Sequence, residues 1–313
     1  MPNRPNAFFI TGTDTGVGKT HVSVSLVKAL VKHGLKVAVM KPIASGSDRT
    51  PQGLRNEDAM ALKNASNIDV PYSTLNPYCF EPAISPHIAA EEAGIAPDID
   101  VIRRNFVTLK AKADVTIVEG AGGWYAPISK TQSMADLPKA LNIPAILVVG
   151  VKLGCLNHAR LSKEAIEAKG VEFAGWVANF IDPKLERAAE NLATLERLLG
   201  RPPLAVFPFA PAAARHSPTA GRHSRDATDL PTASDPPTAS DPPTATDPPT
   251  ATDPPTAADS PTASGPPTAN APANTGRIDA AAARDPATAG VTSLAHPDVR
   301  CGEHFARRLS LIS

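Results

Sequence analysis

The first two thirds of the chain alternate short apolar runs with amphipathic segments. Six apolar runs predict buried strands at residues 8–10, 36–44, 114–118, 145–151, 173–180 and 204–209. The segments between them repeat apolar side chains at helical spacing. Apolar strands separated by helices are typical of a parallel sheet covered on both faces. We therefore predict an α/β fold whose ligands lie at the carboxyl ends of the strands.

The helical segments have recognisable ends. Helices are predicted at residues 22–31, 57–65, 87–92, 101–113, 134–141, 157–169 and 184–199. Gly170 and Gly200 close the last two of them, because glycine suits the end of a helix. A polar loop is expected at residues 45–56, and prolines predict irregular backbone at residues 71–85.

The composition changes after residue 210. Residues 229–270 repeat the unit D-P-P-T-A and carry almost no large apolar side chain. Such a segment cannot offset its ordering entropy, so we expect an extended, disordered insertion at 211–290. Apolar side chains return at positions 305, 309, 311 and 312 and predict a short helix that docks on the domain. The expected organisation is one α/β domain at 1–210, the insertion, and this helix within 291–313.

The charge balance narrows the possible partners. Basic and acidic residues number 31 each, which predicts no nucleic-acid or membrane-surface partner. No apolar run reaches the ~18 residues of a membrane span, and the N-terminal run is too short for a signal peptide. The cysteines, Cys79, Cys155 and Cys301, lack metal or redox spacing. Reduced thiols and a cytoplasmic location are therefore expected.

A glycine-rich loop follows the first predicted strand. Residues 8–20 read F-F-I-T-G-T-D-T-G-V-G-K-T and lead into a helix. Strand, loop and helix in this order form a phosphate-binding loop (P-loop), in which backbone N–H groups and the helix N-terminus hold phosphate. Lys19 would reach the outer phosphates, and the Thr20 hydroxyl would ligate Mg²⁺. Gly12 stands one residue earlier than the usual spacing, so the loop has an extra residue; an ordinary glycine-rich turn is the alternative.

Polar side chains also follow the second and third predicted strands. Lys41 points from the carboxyl edge toward the loop, either as a cation for developing charge or as a solvated strand-end lysine. Glu119 leaves the next strand, where P-loop enzymes place a Mg²⁺ ligand that is usually Asp. Asp58 begins a helix and Ser45 lies in a turn, so the helix dipole and turn geometry offer structural explanations for both.

Two later positions also follow strand ends. The segment Gly154, Cys155, Leu156 and Asn157 opens a helix, and its free N–H groups suit a carboxylate or phosphate as well as an ordinary helix start. Asn179 ends the fifth strand, where its amide would read a base edge or cap the backbone. For Cys155, a packed thiol is favoured over a nucleophile, because no catalytic base pattern accompanies it.

Eight sequence motifs occur along residues 7–210. They are G-T-D-T-G-V-G-K-T, K-P-I-A-S-G-S, T-P-Q-G-L-R-N-E-D, N-P-Y-C-F, S-P-H, V-E-G-A-G-G-W, V-G-V-K-L-G-C-L-N-H-A and G-W-V-A-N. In this order they closely resemble the dethiobiotin synthetases of the P-loop NTPase superfamily. The resemblance implies a homodimer of single P-loop domains that uses MgATP to join CO₂ to 7,8-diaminononanoate. The implied route to dethiobiotin, ADP and phosphate passes through a carbamate and a carbamic–phosphoric anhydride.

The resemblance also implies a role for each matched position. The catalytic residues would be Lys41 and Lys19, which stabilise the carbamate and the phosphoryl group, and Thr15, which with Ser45 contacts the diamine or carbamate. The Mg²⁺ ligands would be Thr20, Asp58 and Glu119. The partner subunit would hold the substrate carboxylate through Gly154, Cys155, Leu156 and Asn157. The ATP contacts would be Gly16, Val17, Gly18, Lys19, Thr20, His21, Asp58, Glu119, Gly120, Ala121, Gly122, Asn179, Phe180, Pro208, Phe209 and Ala210. Gly16 stands where some members of the family carry an acid.

Two other kinds of function stay open from the sequence. One is another P-loop ATPase or amidoligase, such as a cobyrinate amidase or a partitioning ATPase. Partitioning ATPases usually carry an additional lysine early in the loop, and residues 12–16 contain none. The other is a binding protein that recruits a partner through its P-P-T repeats, which is compatible with catalysis.

Overall fold

The computed structural model describes residues 5–209, 297–309 and 311. The strands are β1 (Ala7–Gly12), β2 (Val37–Met40), β3 (Ile43–Ala44), β4 (Ser47–Thr50), β5 (Gly53–Asn56), β6 (Tyr78–Cys79), β7 (Val115–Glu119), β8 (Ala145–Val151), β9 (Phe173–Phe180) and β10 (Ala205–Phe207). The helices are α1 (Lys19–Lys32), α2 (Glu57–Ala65), α3 (Tyr72–Leu75), α4 (Pro86–Glu92), α5 (Ile99–Lys110), α6 (Asp136–Leu141), α7 (Cys155–Ala168), α8 (Ala188–Leu199) and α9 (Pro297–Arg308). Within these ranges no helix is both long and apolar enough to cross a membrane. The expected insertion at 211–290 and Ala210 lie outside the described residues.

A sheet of six parallel strands forms the centre of the fold. Its order is β10-β9-β8-β1-β7-β2, and each neighbouring pair runs parallel. Every residue of β1 and of β8 is buried, so helices cover both faces of the sheet, as the unbroken apolar runs require. The predicted α/β fold with a parallel sheet is therefore confirmed.

The strand register brings separate parts of the sequence to one edge of the sheet. Ile10 of β1 lies beside Glu119 of β7, and Met40 of β2 lies beside Val118. Because the strands are parallel, their carboxyl ends meet at the same edge. The glycine-rich loop after β1, Lys41 after β2 and Glu119 at the end of β7 consequently leave the sheet together.

Three predictions about the region between β2 and α4 were incomplete. The apolar run at 36–44 forms two strands, because after β2 the Lys41 N–H donates to the Leu75 carbonyl instead of continuing the main sheet. The predicted polar loop at 45–56 contains the antiparallel hairpin of β4 and β5. The stretch at 71–85, expected to be irregular, contains α3 and β6, which pairs in parallel with β3. These short elements depend on partners distant in sequence.

The C-terminal helix α9 packs against α1 and β10. Phe305 is completely buried, and an added Cβ at Gly302 would overlap the Ser25 carbonyl of α1. Glu303 pairs with Lys32 at 2.6 Å. The helix begins at Pro297, earlier than its apolar pattern predicted. The described part of α9 therefore packs on the α/β domain, and the division of the chain at residues 210 and 290 stays a prediction.

Candidate active site

The glycine-rich loop between β1 and α1 has a backbone conformation that favours glycine at two positions. Gly16 and Gly18 have φ angles of 73° and 86°, in the left-handed region that favours glycine. An added Cβ at Gly18 would also overlap the side-chain amide of Asn179. The first turn of α1 contains no acidic residue, and no side chain caps it. Its N–H groups and positive helix end are therefore available to an anion.

A cavity of about 340 Å³ opens above this loop. It combines the end of the loop, the start of α1, the strand-end lysine and the beginning of α2. Its lining residues are Thr15, Gly16, Gly18, Lys19, Thr20, His21, Lys41, Ala44, Ser45, Asn56, Asp58, Ala121 and Gly122. Most of the side chains predicted for the phosphates and for the reacting end of the substrate thus share one cavity.

Lys41 is the centre of a buried charge cluster. Its Nζ lies 2.8 Å from Oε1 of Glu119 and 3.1 Å from Oδ2 of Asp58, and it donates to the Gly120 carbonyl at 3.2 Å. The Thr20 hydroxyl donates to the same Glu119 oxygen at 2.8 Å. The Glu119 side chain is 0% exposed and that of Lys41 is 4% exposed, whereas that of Asp58 is 42% exposed. Of the two carboxylates that pair with Lys41, Asp58 is therefore the one that solvent reaches.

The two cavity lysines have opposite pKa shifts. Burial alone would lower the pKa of Lys41, but the carboxylates of Glu119 and Asp58 outweigh it and raise that pKa. The pKa of Lys19 is lowered to about 8, by burial first and then by the positive charge of Lys41. Burial would raise the pKa of Asp58, yet the ammonium of Lys41 keeps it below its usual range. Lys41 thus stays charged at neutral pH, whereas the pKa of Lys19 lies at about 8.

The predicted Mg²⁺ ligands lie together and are compatible with that ion. Oε2 of Glu119 is buried and has no hydrogen-bond partner within the described part of the chain. It lies in the same side chain as the oxygen bonded to Thr20, and Lys41 links Glu119 to Asp58. A hydroxyl and two carboxylates are hard oxygen ligands that suit Mg²⁺ together with phosphate oxygens and water. No group of three or more His, Cys, Asp or Glu placed to bind a metal occurs among residues 5–209 and 297–311 as far as they are described.

The residues predicted for the adenine lie at the ends of β9 and β10. Asn179 is buried, and its Nδ2 donates to the Val17 carbonyl of the glycine-rich loop at 2.8 Å. The His21 ring packs edge-on against Phe207, with 5.2 Å between ring centroids. The remaining predicted contacts on β9 and after β10 are half-buried Phe180 and exposed Pro208 and Phe209, whereas Ala210 lies outside the described residues. The amide of Asn179 therefore braces the loop, and its contact with a base stays a prediction.

The segment predicted to hold a substrate carboxylate does not line the cavity of its own chain. Gly154 has a φ angle of 89° and precedes α7, whose first residue, Cys155, is buried. Burial raises the pKa of the Cys155 thiol, which agrees with a packed rather than a nucleophilic cysteine. Leu156 is half-buried and Asn157 is exposed, and neither lines the cavity.

Two residues of the site were not singled out from the sequence. The backbone carbonyl of Asp14 accepts a hydrogen bond from the Lys19 ammonium at 3.2 Å. The Asp14 carboxylate lies 3.6 Å from Nζ of Lys152. Asn56 lines the cavity and caps α2 by accepting from the Ala59 N–H. Asparagine before two acidic residues is a helix N-cap signal, so the cap of Asn56 was detectable, although its place in the cavity was not.

Comparisons with known proteins agree with the geometry. A family model described as an AAA domain matches residues 6–217. The ATP-dependent dethiobiotin synthetase BioD of Xanthomonas oryzae pv. oryzae is 49% identical over 208 residues, 66% of this chain and 93% of that protein. The protein of the same name from Pseudomonas paraeruginosa is 48% identical over 206 residues, 64% of this chain and 89% of that protein. Among solved structures, the MinC:MinD cell division protein complex of Aquifex aeolicus aligns with a TM-score of 0.44 and 19% identity, covering 66% of this chain and 82% of that chain.

Proposed function

Because the chain belongs to the ATP-dependent dethiobiotin synthetase family, whose members are ligases that form a C–N bond, we propose that it closes a cyclic urea from 7,8-diaminononanoate and CO₂. The products would be dethiobiotin, ADP and phosphate. The observation that carries the proposal is the position of Lys41, a buried cation beside the glycine-rich loop in the same cavity as Lys19 and Ser45.

The proposed reaction has three steps. One amine of the substrate adds to CO₂ and loses a proton, which gives a carbamate. A carbamate oxygen then attacks the γ-phosphorus of ATP, breaks the bond to the ADP oxygen and forms a carbamic–phosphoric anhydride. The second amine attacks the carbonyl carbon, loses a proton and expels phosphate. A carbamate is a weak nucleophile, so positioning of reactants and neutralisation of negative charge account for most of the catalysis.

Lys41 is suited to the developing charge of the phosphoryl transfer. Its ammonium donates to Glu119, Asp58 and the Gly120 carbonyl, so a phosphoryl or carbamate oxygen must displace one of these acceptors. Asp58 is the exposed partner and is the acceptor that can yield its place. A cation held ready in a poorly solvated site stabilises charge without reorganisation during the reaction.

Lys19 would bind the outer phosphates of ATP from the loop side. Its Nζ donates to the Asp14 carbonyl, which keeps the ammonium over the loop. Burial disfavours the ammonium form of Lys19 in the free enzyme, and the negative charge of a bound triphosphate would favour that form again. The N–H groups of the glycine-rich loop and of the α1 N-terminus would hold the remaining phosphate oxygens.

The Thr20 hydroxyl and the carboxylates of Asp58 and Glu119 would hold Mg²⁺. Mg²⁺ held there would supply positive charge to the bound triphosphate. The unpartnered Oε2 of Glu119 supports this assignment, because a buried carboxylate oxygen without a donor is costly unless a cation or a donor meets it.

We propose that the diamine and its carboxylate are held by two subunits. Thr15 and Ser45 line the cavity and would contact the diamine or carbamate, whereas the segment 154–157 would bind the substrate carboxylate in the cavity of the partner. Leu153, beside this segment, is 87% exposed, and Tyr125 and Leu161 are also exposed. Exposed apolar side chains such as these suit an interface in a homodimer. We also propose a cytoplasmic location, in which thiols stay reduced.

Incubation with the diamine, ¹³C-bicarbonate and MgATP tests the proposed function. We expect phosphate release that depends on the diamine, together with a cyclic urea that mass spectrometry shows to contain one ¹³C atom. Phosphate release that ignores the diamine, with no labelled urea, would exclude this reaction and leave only an ATPase.

A further inference from the structure

A chain of buried hydrogen bonds runs behind the cavity and ends on the backbone of Lys41. Asn76, which is 2% exposed, donates through Nδ2 to the Lys41 carbonyl at 2.5 Å. The Leu75 carbonyl accepts from the Lys41 N–H at 2.9 Å. Both backbone polar groups of Lys41 are therefore held by the end of α3, although about thirty-five residues separate the two segments.

Tyr72 forms the middle of this chain. Its hydroxyl donates to Oδ1 of Asn76 at 3.0 Å and accepts from the backbone N–H of Asn56 at 2.8 Å. The Arg55 guanidinium lies over the Tyr72 ring, 4.2 Å from its centroid. Burial raises the pKa of Tyr72, so the phenol keeps the proton that it donates. One hydroxyl thus joins α3 to the end of β5.

Asn56 forms the other end of the chain, where its amide nitrogen and its amide oxygen make separate hydrogen bonds. Its Nδ2 donates to the carbonyls of Ser45 and Gly46, at 3.2 and 3.4 Å. Its Oδ1 accepts from the Ala59 N–H and caps α2, in which Asp58 is the second residue. Asn56 is 6% exposed, so these bonds form where water competes poorly.

We infer that Asn56, Tyr72 and Asn76 are positioning residues of the ligase, because their hydrogen-bond chain fixes Lys41, Ser45 and Asp58 relative to one another. The inference rests on the proposed function, which places those three side chains around the reacting atoms. They come from three segments: the residue after β2, the turn before β4 and the first turn of α2. All three lie outside the strands of the main sheet, and the hydrogen-bond chain connects them to one another.

The two contacts of Asn56 can be separated by substitution. Asn56→Ser keeps a side-chain oxygen of the kind that caps helices well but removes the amide that holds the Ser45 and Gly46 carbonyls. Tyr72→Phe removes only the hydroxyl that joins Asn56 to Asn76. Tyr78→Phe is a matched control, because the Tyr78 hydroxyl also accepts a backbone N–H, that of Asp98, outside the cavity.

The test measures kcat and the KM values for the diamine and for ATP, at a temperature well below the unfolding midpoint of every variant. For Asn56→Ser we expect a diamine KM raised roughly tenfold and an ATP KM within about twofold of the wild-type value, because only the Ser45 turn loses its support. For Tyr72→Phe we expect kcat to fall by roughly 10- to 100-fold, because the hydroxyl no longer fixes the position of Lys41 relative to Asp58. The control should match the wild type in all three parameters.

Two results would overturn the inference. One is wild-type kinetics in both Asn56→Ser and Tyr72→Phe. The other is a loss that disappears once rates are corrected for the folded fraction, because the chain would then serve stability alone. A wild-type enzyme that makes no cyclic urea would overturn the proposed function and this inference with it, whereas an active wild type with unaffected variants would overturn the inference alone.

Discussion

The ammonium of Lys41 lies 2.8 Å from Oε1 of Glu119, and solvent reaches almost none of either side chain. A buried ion pair is weak support for stability, because desolvation offsets much of its Coulomb attraction. The same Glu119 oxygen accepts from Thr20 at the start of α1, so the pair also connects β2, β7 and the glycine-rich loop. A requirement for charge at this point of the cavity explains the pair better than stability does.

Replacement of Lys41 by methionine should lower kcat strongly while ATP still binds. Methionine keeps most of the side-chain length but removes the charge, and loss of one preorganised electrostatic contact typically lowers kcat by about 10²- to 10³-fold. ATP affinity should change little, because the loop and Lys19 remain. Steady-state kinetics and calorimetric ATP titration measure the two effects. Lys28→Met, at an exposed position on α1, is the control, and an active Lys41→Met enzyme would remove Lys41 from the mechanism.

Lys19 should make the stability of the free enzyme depend on pH. Its pKa falls from an ordinary 10.5 to about 8 in the folded state, so between these values the unfolded chain binds more protons and stability rises with pH. Relative to Lys19→Met, the wild type should gain about 1–2 kcal/mol between roughly pH 7.5 and 9.5. Denaturant unfolding of both proteins at the two pH values measures this difference. If the stability of the wild type relative to Lys19→Met stays constant or falls as the pH rises, Lys19 does not titrate in this window.

Gly18→Ala should damage ATP binding far more than a glycine replacement elsewhere. Gly18 has a φ angle of 86°, and a new Cβ would overlap the Asn179 amide that braces the loop. Gly34 has a similar φ angle of 81° but open space around it, so Gly34→Ala should cost about 1–2 kcal/mol of stability from backbone strain alone. Thermal unfolding and ATP titration compare the variants. Equal ATP affinity in both would contradict the role assigned to the contact between Gly18 and Asn179.

Phe305→Ala should destabilise the α/β domain through α9. Phe305 is completely buried in the core, and truncation of a buried phenylalanine typically costs about 3–5 kcal/mol. Glu303→Gln removes an ion pair with exposed Lys32 and should cost less than about 1 kcal/mol. Chemical denaturation measures both values. Equal, small losses would mean that α9 is not part of the cooperative domain.

The sequence was most informative for two long apolar strands and one amphipathic helix. The bounds of β8, β9 and α2 agree with prediction at both ends, because apolar runs or helical spacing stop there at clear breakers. The hairpin of β4 and β5 was missed, since it is polar, is only partly buried and lacks apolar alternation. The strands β3 and β6 are two residues long and exist through pairing across the fold.

The residues of the candidate site also differ in how readily the sequence predicted them. Lys41 and Glu119 are 78 residues apart, yet their meeting was predictable because both follow strands that end at one edge of a parallel sheet. The hydrogen-bond chain through Tyr72 was not predictable, because it joins segments whose mutual arrangement no local pattern determines. Sequence therefore identifies the side chains that we propose for the reaction more readily than those that we propose to align them.

The fate of one oxygen atom of CO₂ distinguishes the proposed route from any route without a carbamic–phosphoric anhydride. In a single turnover with C¹⁸O₂, completed before the label exchanges with water, the carbamate oxygen that attacks the γ-phosphorus leaves with the phosphate. We predict one ¹⁸O atom in each phosphate formed together with cyclic urea, measured by mass spectrometry. Unlabelled phosphate at full yield of urea would show that no carbamic–phosphoric anhydride forms, and would contradict the assignment of Lys41 and Lys19 to that transfer.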